Sequence, residues 1–294
     1  MQWLADRMGW IWSFAGVYLL VLGLMFAFQR SLMYPASSER PDLDLLGIPG
    51  LREIQIETAD GLTLFHGYRP PLEADGPVVV AFHGNAGNIA HRAHKFRPLL
   101  DTGVGMLLME YRGYAGNPGS PTEADLVSDG RGVLTWLAEE GVPPERTLLY
   151  GESLGTGLAV QLAAWQARTS TAEGGQARPY AGVMLEAPFT STADVAQRIY
   201  WFLPARWLLL DQWDSSAHIG AIDTDLLVIH GEHDRTVSVD FGRTLFAQAE
   251  EPKDGLFLAQ GDHNNLWDLP EVQKRVFDFV RAQVPQAASA EGAK

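Results

Sequence analysis

Ser153 stands in Gly151-Glu152-Ser153-Leu154-Gly155, a Gly-x-Ser-x-Gly pattern whose meaning depends on what flanks it. Thr147-Leu148-Leu149-Tyr150 leads in as a buried strand would, and Leu158-Ala159-Val160-Gln161-Leu162 leads out as a helix would. A serine on so sharp a turn takes a strained backbone, and neighbouring glycines remove side chains that would clash. A serine that merely caps the following helix is the bland alternative, and the strand–turn–helix context argues against it. A hydroxyl is a poor nucleophile at neutral pH, so it needs a base and a group to orient that base.

With a nucleophile in this setting, the expected chain order is Ser, then acid, then His. His218, His230, His233 and His263 follow Ser153. His263 comes just after the last apolar run, in Gln260-Gly261-Asp262-His263-Asn264-Asn265, where a loop can reach over a sheet, and it is the expected base. His230 at a strand end and His233 in a loop read as structural. Asp234 follows Leu226-Leu227-Val228-Ile229-His230-Gly231 and falls at the carboxyl end of that strand, where sites in open sheets collect. Glu232, Asp225 and Asp240 are its rivals, although Asp225 starts the strand and so lies at the wrong edge.

Acyl transfer builds negative charge on a carbonyl oxygen, and backbone N–H groups aimed at it stabilise that charge. The Leu154 amide, next after the nucleophile, supplies one donor. The second is expected from His83-Gly84-Asn85-Ala86-Gly87-Asn88, the loop after the Val78–Phe82 run, with Asn85 as the candidate. A phosphate cradle is the competing reading of this loop, but it lacks the P-loop lysine and the glycine spacing of a dinucleotide fingerprint.

The elements that must position these groups alternate along the chain. Leu51–Thr58 and Leu62–Tyr68 flank the turn pair Asp60-Gly61. Buried-strand runs follow at Val78–Phe82, Gly105–Tyr111, Arg146–Tyr150, Ala181–Leu185, Leu226–Ile229 and Gly255–Ala259. Helix patterns lie between them at Glu123–Glu139, Gly155–Ala167, Val239–Ala249 and Pro270–Gln283. Alternation of this kind predicts an α/β protein with a mostly parallel sheet covered on both faces. Ala167–Arg178 reads as a surface loop, and residues 285–294 as a disordered tail.

The first thirty residues read as a membrane anchor. Gly9 to Phe28 is an uncharged run of twenty residues, bracketed by Arg7 and Arg30, with Trp3, Trp10, Trp12 and Tyr18 toward one side. About twenty apolar residues cross the hydrocarbon, and aromatic and basic residues mark the interfaces. A cleaved signal peptide would have a shorter apolar run and a small-x-small site, which is not evident here. Arg30 and Arg40 after the span lean toward a cytoplasmic catalytic domain in a single-pass protein. Residues 31–50 read as a juxtamembrane linker, and the domain of residues 51–284 reads as complete without the anchor.

The balance of 36 acidic against 22 basic side chains, net −14, repels phosphate backbones, so no nucleic acid is expected as a partner. The absence of cysteine excludes disulfides, thiolate metal sites and a cysteine nucleophile. His91 and His94 lie one helical turn apart but have no carboxylate set, so no metal is expected, and the chemistry calls for no cofactor.

The sequence closely resembles the membrane-anchored α/β-hydrolase-domain serine hydrolases of bacteria and eukaryotes, whose relatives include lipid esterases and protein depalmitoylases. The resemblance rests on FHGNAGN at 82–88, YRGY at 111–114, GESLG at 151–155, LEAPFTS at 185–191, HGEHD at 230–234 and GDHNNL at 261–266. It implies the α/β-hydrolase fold, a triad of Ser153, Asp234 and His263, and hydrolysis of an ester or thioester. Glu110 stands where relatives often have Asp, and Thr224-Asp225 replaces a frequent Pro; neither is expected to touch the chemistry. About 189–219 is a cap insertion carrying Tyr200-Trp201-Phe202-Leu203-Pro204 and Trp207-Leu208-Leu209-Leu210-Asp211-Gln212-Trp213. It reads either as ordinary packing against the sheet or as an apolar acyl pocket facing a bilayer. A serine peptidase of the same fold and a non-catalytic membrane-bound scaffold are the alternatives to an esterase, lipase or thioesterase.

Overall fold

The computed structural model describes residues 2–172 and 179–283. One eight-stranded sheet runs in the order β1-β2-β4-β3-β5-β6-β7-β8. β1 (Arg52–Glu57) and β2 (Thr63–Arg69) are antiparallel to each other, and β2 is antiparallel to β4 (Gly105–Met109). β3 (Val78–Phe82), β4, β5 (Thr147–Glu152), β6 (Gly182–Glu186), β7 (Leu226–Gly231) and β8 (Lys253–Leu258) are parallel. The β-branched runs explain the centre of the sheet. In β3, Val78, Val80 and Phe82 enter one core cluster while Val79 and Ala81 enter the other, so both faces are buried, as parallel strands require.

α3 (Glu123–Glu139), α4 (Leu154–Ala172) and α7 (Val239–Gln248) cover one face, and α2 (Ala90–Leu100) and α8 (Pro270–Ala282) cover the other. Their starts follow local chemistry. Thr122 accepts from the Asp125 amide to cap α3, and Pro270 opens α8, where a missing N–H costs nothing. The cap consists of α5 (Thr192–Ile199), itself capped by Ser191, and the short α6 (Ala205–Leu208).

α1 is a single helix over Gln2–Met33, and its Gly9–Met33 part is long and apolar enough to cross a membrane, with mean hydropathy 2.1. It runs three residues past the expected end of the anchor. The residues beyond it pack on the domain: Tyr34, Leu43, Ile48 and Leu51 are buried, and Ala36 forms a parallel bridge with Gly87. A stretch read as linker for its Pro, Ser and Asp is therefore held by its few apolar residues. The loop expected over Ala167–Arg178 is helical as far as Ala172, because α4 continues; residues 173–178 lie outside the described residues, as does the 285–294 tail.

Candidate active site

Ser153 joins β5 to α4 at φ 50°, a strained backbone for a residue with a side chain. The motif glycines are needed for close approach. A Cβ on Gly151 would come 2.5 Å from the Gly155 carbonyl, and one on Gly155 would collide with the Phe82 carbonyl on the neighbouring strand. The Ser153 amide is tied to the Glu186 carbonyl at 2.9 Å. Leu154 opens α4, so its N–H belongs to the helical turn whose donors have no partner within the helix.

The loop of His83–Asn88 packs directly against Ser153, since a Cβ on Gly84 would lie 3.6 Å from Ser153 Cβ. Its shape is set by Glu110, which is 0% exposed. This carboxylate pairs with His83 Nε2 at 3.0 Å and accepts from the Ile89 and Tyr111 amides at 3.0 and 3.2 Å. His66, whose pKa burial pushes down to about 3, accepts from the Glu110 amide at 3.1 Å. Glu110 therefore braces the loop that carries Asn85 from beneath, without lining the cavity itself. Asn85 in turn accepts from the Tyr114 hydroxyl at 2.7 Å and donates its side-chain amide to the Met33 carbonyl at the end of α1.

Asp234 and His263 come together on the loops after β7 and β8. His263 Nδ1 stands 2.7 Å from Asp234 Oδ2, while the Thr236 and Val237 amides donate to Oδ1 at 2.8 Å each. Burial alone raises the Asp234 pKa, but hydrogen bonds from His230 and His263, the His263 charge and the Val237 amide outweigh it and hold the carboxyl well below the usual range. A carboxylate that stays ionised can fix the imidazole tautomer. Gly231 lets the two loops touch, because a Cβ there would collide with Gly261. His230, read as structural, packs behind the acid, 3.3 Å from Asp234 Oδ2 and 2.9 Å from the Val237 carbonyl. The rivals point elsewhere: Glu232 pairs with Arg243, Asp240 with Arg198, and Asp225 with Gln283.

Sequence reasoning missed a buried charge cluster beside Ser153. Lys95 donates to Glu152 at 2.6 Å and to Glu186 at 3.0 Å; Arg92 donates to Glu152 at 2.8 Å; and Trp267 and Tyr150 both donate to Glu186. Burial opposes ionisation of Glu152, yet the Lys95 and Arg92 charges bring its pKa down to about 2. Arg92 and Lys95, three apart on a helix beside buried Ala93 and Phe96, were the available signal.

A cavity of about 320 Å³ opens above Ser153. Ser153, Leu154 and Asn85 are on its wall with Thr236 and Val237, whose amides hold Asp234; neither Asp234 nor His263 lines it. Its remaining walls are apolar, from the cap residues Val195, Ile199 and Leu208 and from Leu22, Met25 and Phe26 of α1. The N-terminal helix thus supplies part of the cavity wall. The aromatic insertion divides: Trp213 is 0% exposed and belongs to the core, whereas Trp201 and Trp207 are 79% and 88% exposed. No hydrogen bond joins Ser153 Oγ to His263 among the described residues; such contacts often tighten only with substrate bound. His91 accepts from the Asn88 amide, and among the described residues no group of three His, Asp or Glu is placed to hold a metal.

An uncharacterized protein of Mycobacterium tuberculosis is 36% identical over 248 residues, covering 83% of this chain and 84% of that one. Human protein ABHD12B is 31% identical over 239 residues, and the lysophosphatidylserine lipase ABHD12 of Danio rerio is 26% identical over 243. Each of these two matches covers 74% of this chain but only 64% and 62% of the relative. Among solved structures, an esterase of Pyrococcus furiosus superposes with TM-score 0.66 at 16% identity, covering 85% of this chain and 98% of that one. An α/β hydrolase of Vibrio vulnificus does so with TM-score 0.66 at 18% identity, covering 86% and 92%. No family model matches the chain.

Proposed function

The chain belongs to the α/β-hydrolase-domain family that includes lysophosphatidylserine lipases, and from that premise we propose that it is a serine hydrolase cleaving acyl esters or thioesters at a membrane. The observation that carries this reading is the cavity itself. A strained serine, a helix-start amide and a braced loop share one apolar space, and two residues of its wall, Thr236 and Val237, hold the Asp234 of an Asp–His pair.

In this reading His263 takes the Ser153 hydroxyl proton as Oγ attacks the acyl carbonyl, and the Leu154 and Asn85 amides stabilise the oxyanion. The tetrahedral intermediate then collapses. The carbon–oxygen or carbon–sulfur bond breaks, and the leaving alcohol or thiol takes the proton from His263. Water repeats the sequence on the acyl-enzyme and frees the acid. Asp234 remains ionised throughout, holding the imidazole in place.

Membrane placement is part of the proposal. α1 has the length and hydropathy of a span, Trp10 and Trp12 are exposed at one end of it, and Trp201 and Trp207 are exposed on the cap beside it. Exposed aromatic side chains beside an apolar span suit a lipid environment. The name of the Danio rerio relative makes single-chain lipid esters the first substrates to try.

The test is hydrolysis of aryl esters from acetyl to hexadecanoyl by wild type and Ser153→Ala in detergent micelles. Ser153-dependent turnover that rises beyond the acetyl ester is expected. A strict preference for acetyl would sink the acyl-chain reading, and turnover indifferent to Ser153 would favour a scaffold.

A further inference from the structure

α1 meets the rest of the protein along one stripe. Tyr18, Leu22, Met25, Gln29 and Met33 recur at three- and four-residue intervals, the spacing that places side chains on one helix face. The cap is fastened to that stripe at two heights. Near the domain, Gln29 accepts from the Leu210 amide at 2.7 Å and donates to the Leu208 carbonyl at 3.2 Å, while Arg30 forks onto buried Asp211 at 2.9 and 3.1 Å. Further out, the Tyr18 hydroxyl donates to the Phe202 carbonyl at 2.8 Å. Between these attachments Leu22, Met25 and Phe26 face the cavity that begins at Ser153.

We propose that α1 is the far wall of an acyl-chain site, and that Leu22, Met25 and Phe26 set the length of chain that Ser153 accepts. The inference rests on Ser153 acting as the acyl-transfer nucleophile. Two estimates of length agree. An engineered apolar cavity of about 150 Å³ holds one benzene, so 320 Å³ takes about a dozen carbons. The end of α1 touches the oxyanion loop through Met33 and Asn85. Leu22 lies eleven residues before Met33, about 16 Å along the helix axis. An extended chain of single bonds advances about 1.2 Å per bond, so this span also corresponds to about a dozen carbons. The site therefore suits one acyl chain of medium length and not two side by side.

The same geometry points to the chain's source. Tyr18 is fifteen residues from Met33, about 22 Å along the axis, within the roughly 30 Å of a bilayer's hydrocarbon. The cap's Trp201 and Phe202, both exposed, stand at that height. A chain lying between α1 and the cap thus sits at the depth of lipid tails and reaches Ser153 from the leaflet.

The chain has no cysteine, so Leu22→Cys creates a single thiol in it. Tagging it with a butyl methanethiosulfonate fills the far end of the cavity in an already folded molecule. Each buried methylene contributes about fourfold to binding, so the kcat/KM ratio of dodecanoyl to butanoyl aryl ester is expected to fall at least tenfold, and reductant to restore it. The same tag on Leu19→Cys, a residue 65% exposed on α1 and outside the cavity, leaves the ratio unchanged. Phe26→Ala moves the optimum toward longer chains. A ratio unmoved by the Leu22 tag, or moved equally by the Leu19 tag, overturns the inference while Ser153-dependent hydrolysis stands. Absence of any Ser153-dependent hydrolysis in the untagged wild type overturns both.

Discussion

The two ends of the cavity are built by opposite means. At the Ser153 end, buried charged and polar groups each have several partners: Glu110 under the His83–Asn88 loop, Glu152 with Lys95 and Arg92, and Asp234 among two histidines and two amides. At the α1 end, apolar side chains meet across a space, and the polar bonds are confined to two points of attachment. Buried polar networks admit one geometry, because any departure leaves a group unsatisfied. Apolar contact is non-directional and adapts. The Ser153 end should therefore control the rate for every substrate, and the α1 end the ranking among substrates.

Variants that separate the two ends test this division. Asp234→Asn should reduce kcat by about 10⁴-fold for all chain lengths alike, as expected when the base loses its orienting charge. Steady-state kinetics on butanoyl and dodecanoyl esters would show it, and a loss confined to the longer ester would blur the division.

Glu152→Gln probes the cluster under the nucleophile. Its pKa is lowered from 4.5 to about 2 in the folded protein, so its ionised form contributes stability above about pH 4.5, and that contribution is lost as pH falls toward 2. The wild type should be more stable than the variant by on the order of 3 kcal/mol at pH 7, with the gap closing between pH 4.5 and 2. Urea unfolding across that range measures it. A constant gap would mean that Glu152 acts by its shape and not its charge.

Glu110→Ala strips the acceptor from His83 and the Ile89 and Tyr111 amides, at about 2 kcal/mol, and should lower kcat about thirtyfold without changing chain preference. The smallest effect belongs to the other end. Asp211→Ala frees Arg30 and Tyr34 and loosens the cap against α1, so the ratio of dodecanoyl to butanoyl turnover should fall about fivefold. A uniform fall instead would show that the cap attachment acts on the nucleophile.

The same contrast explains what was legible in the sequence. The strands announced themselves as short apolar runs, and Glu123–Glu139 stands as a helix at its predicted bounds, because periodicity is a local signal. The placement of Asp234 and His263 on adjoining strand-end loops followed from chain order and strand direction. Glu110 and the Lys95–Glu152–Glu186 cluster did not show, since their partners are distant in sequence and a buried acid looks like an exposed one in a string of letters. The stripe on α1 was hidden for a different reason: in a run that is apolar nearly all round, no period stands out, and only polar groups such as Tyr18 and Gln29 betray the packed face. Trp213 and Trp207 lie in the same apolar stretch, yet one is core and the other exposed; buried Trp213 donates its indole N–H to the Tyr34 hydroxyl, a partner far upstream that no local pattern reveals.

The most direct test of the central claim is intact-mass and peptide mass spectrometry of the full chain treated with an alkyl fluorophosphonate. A single adduct on Ser153 is predicted, absent in Ser153→Ala and slowed in Asp234→Asn. No adduct, or one on another residue, would contradict the account.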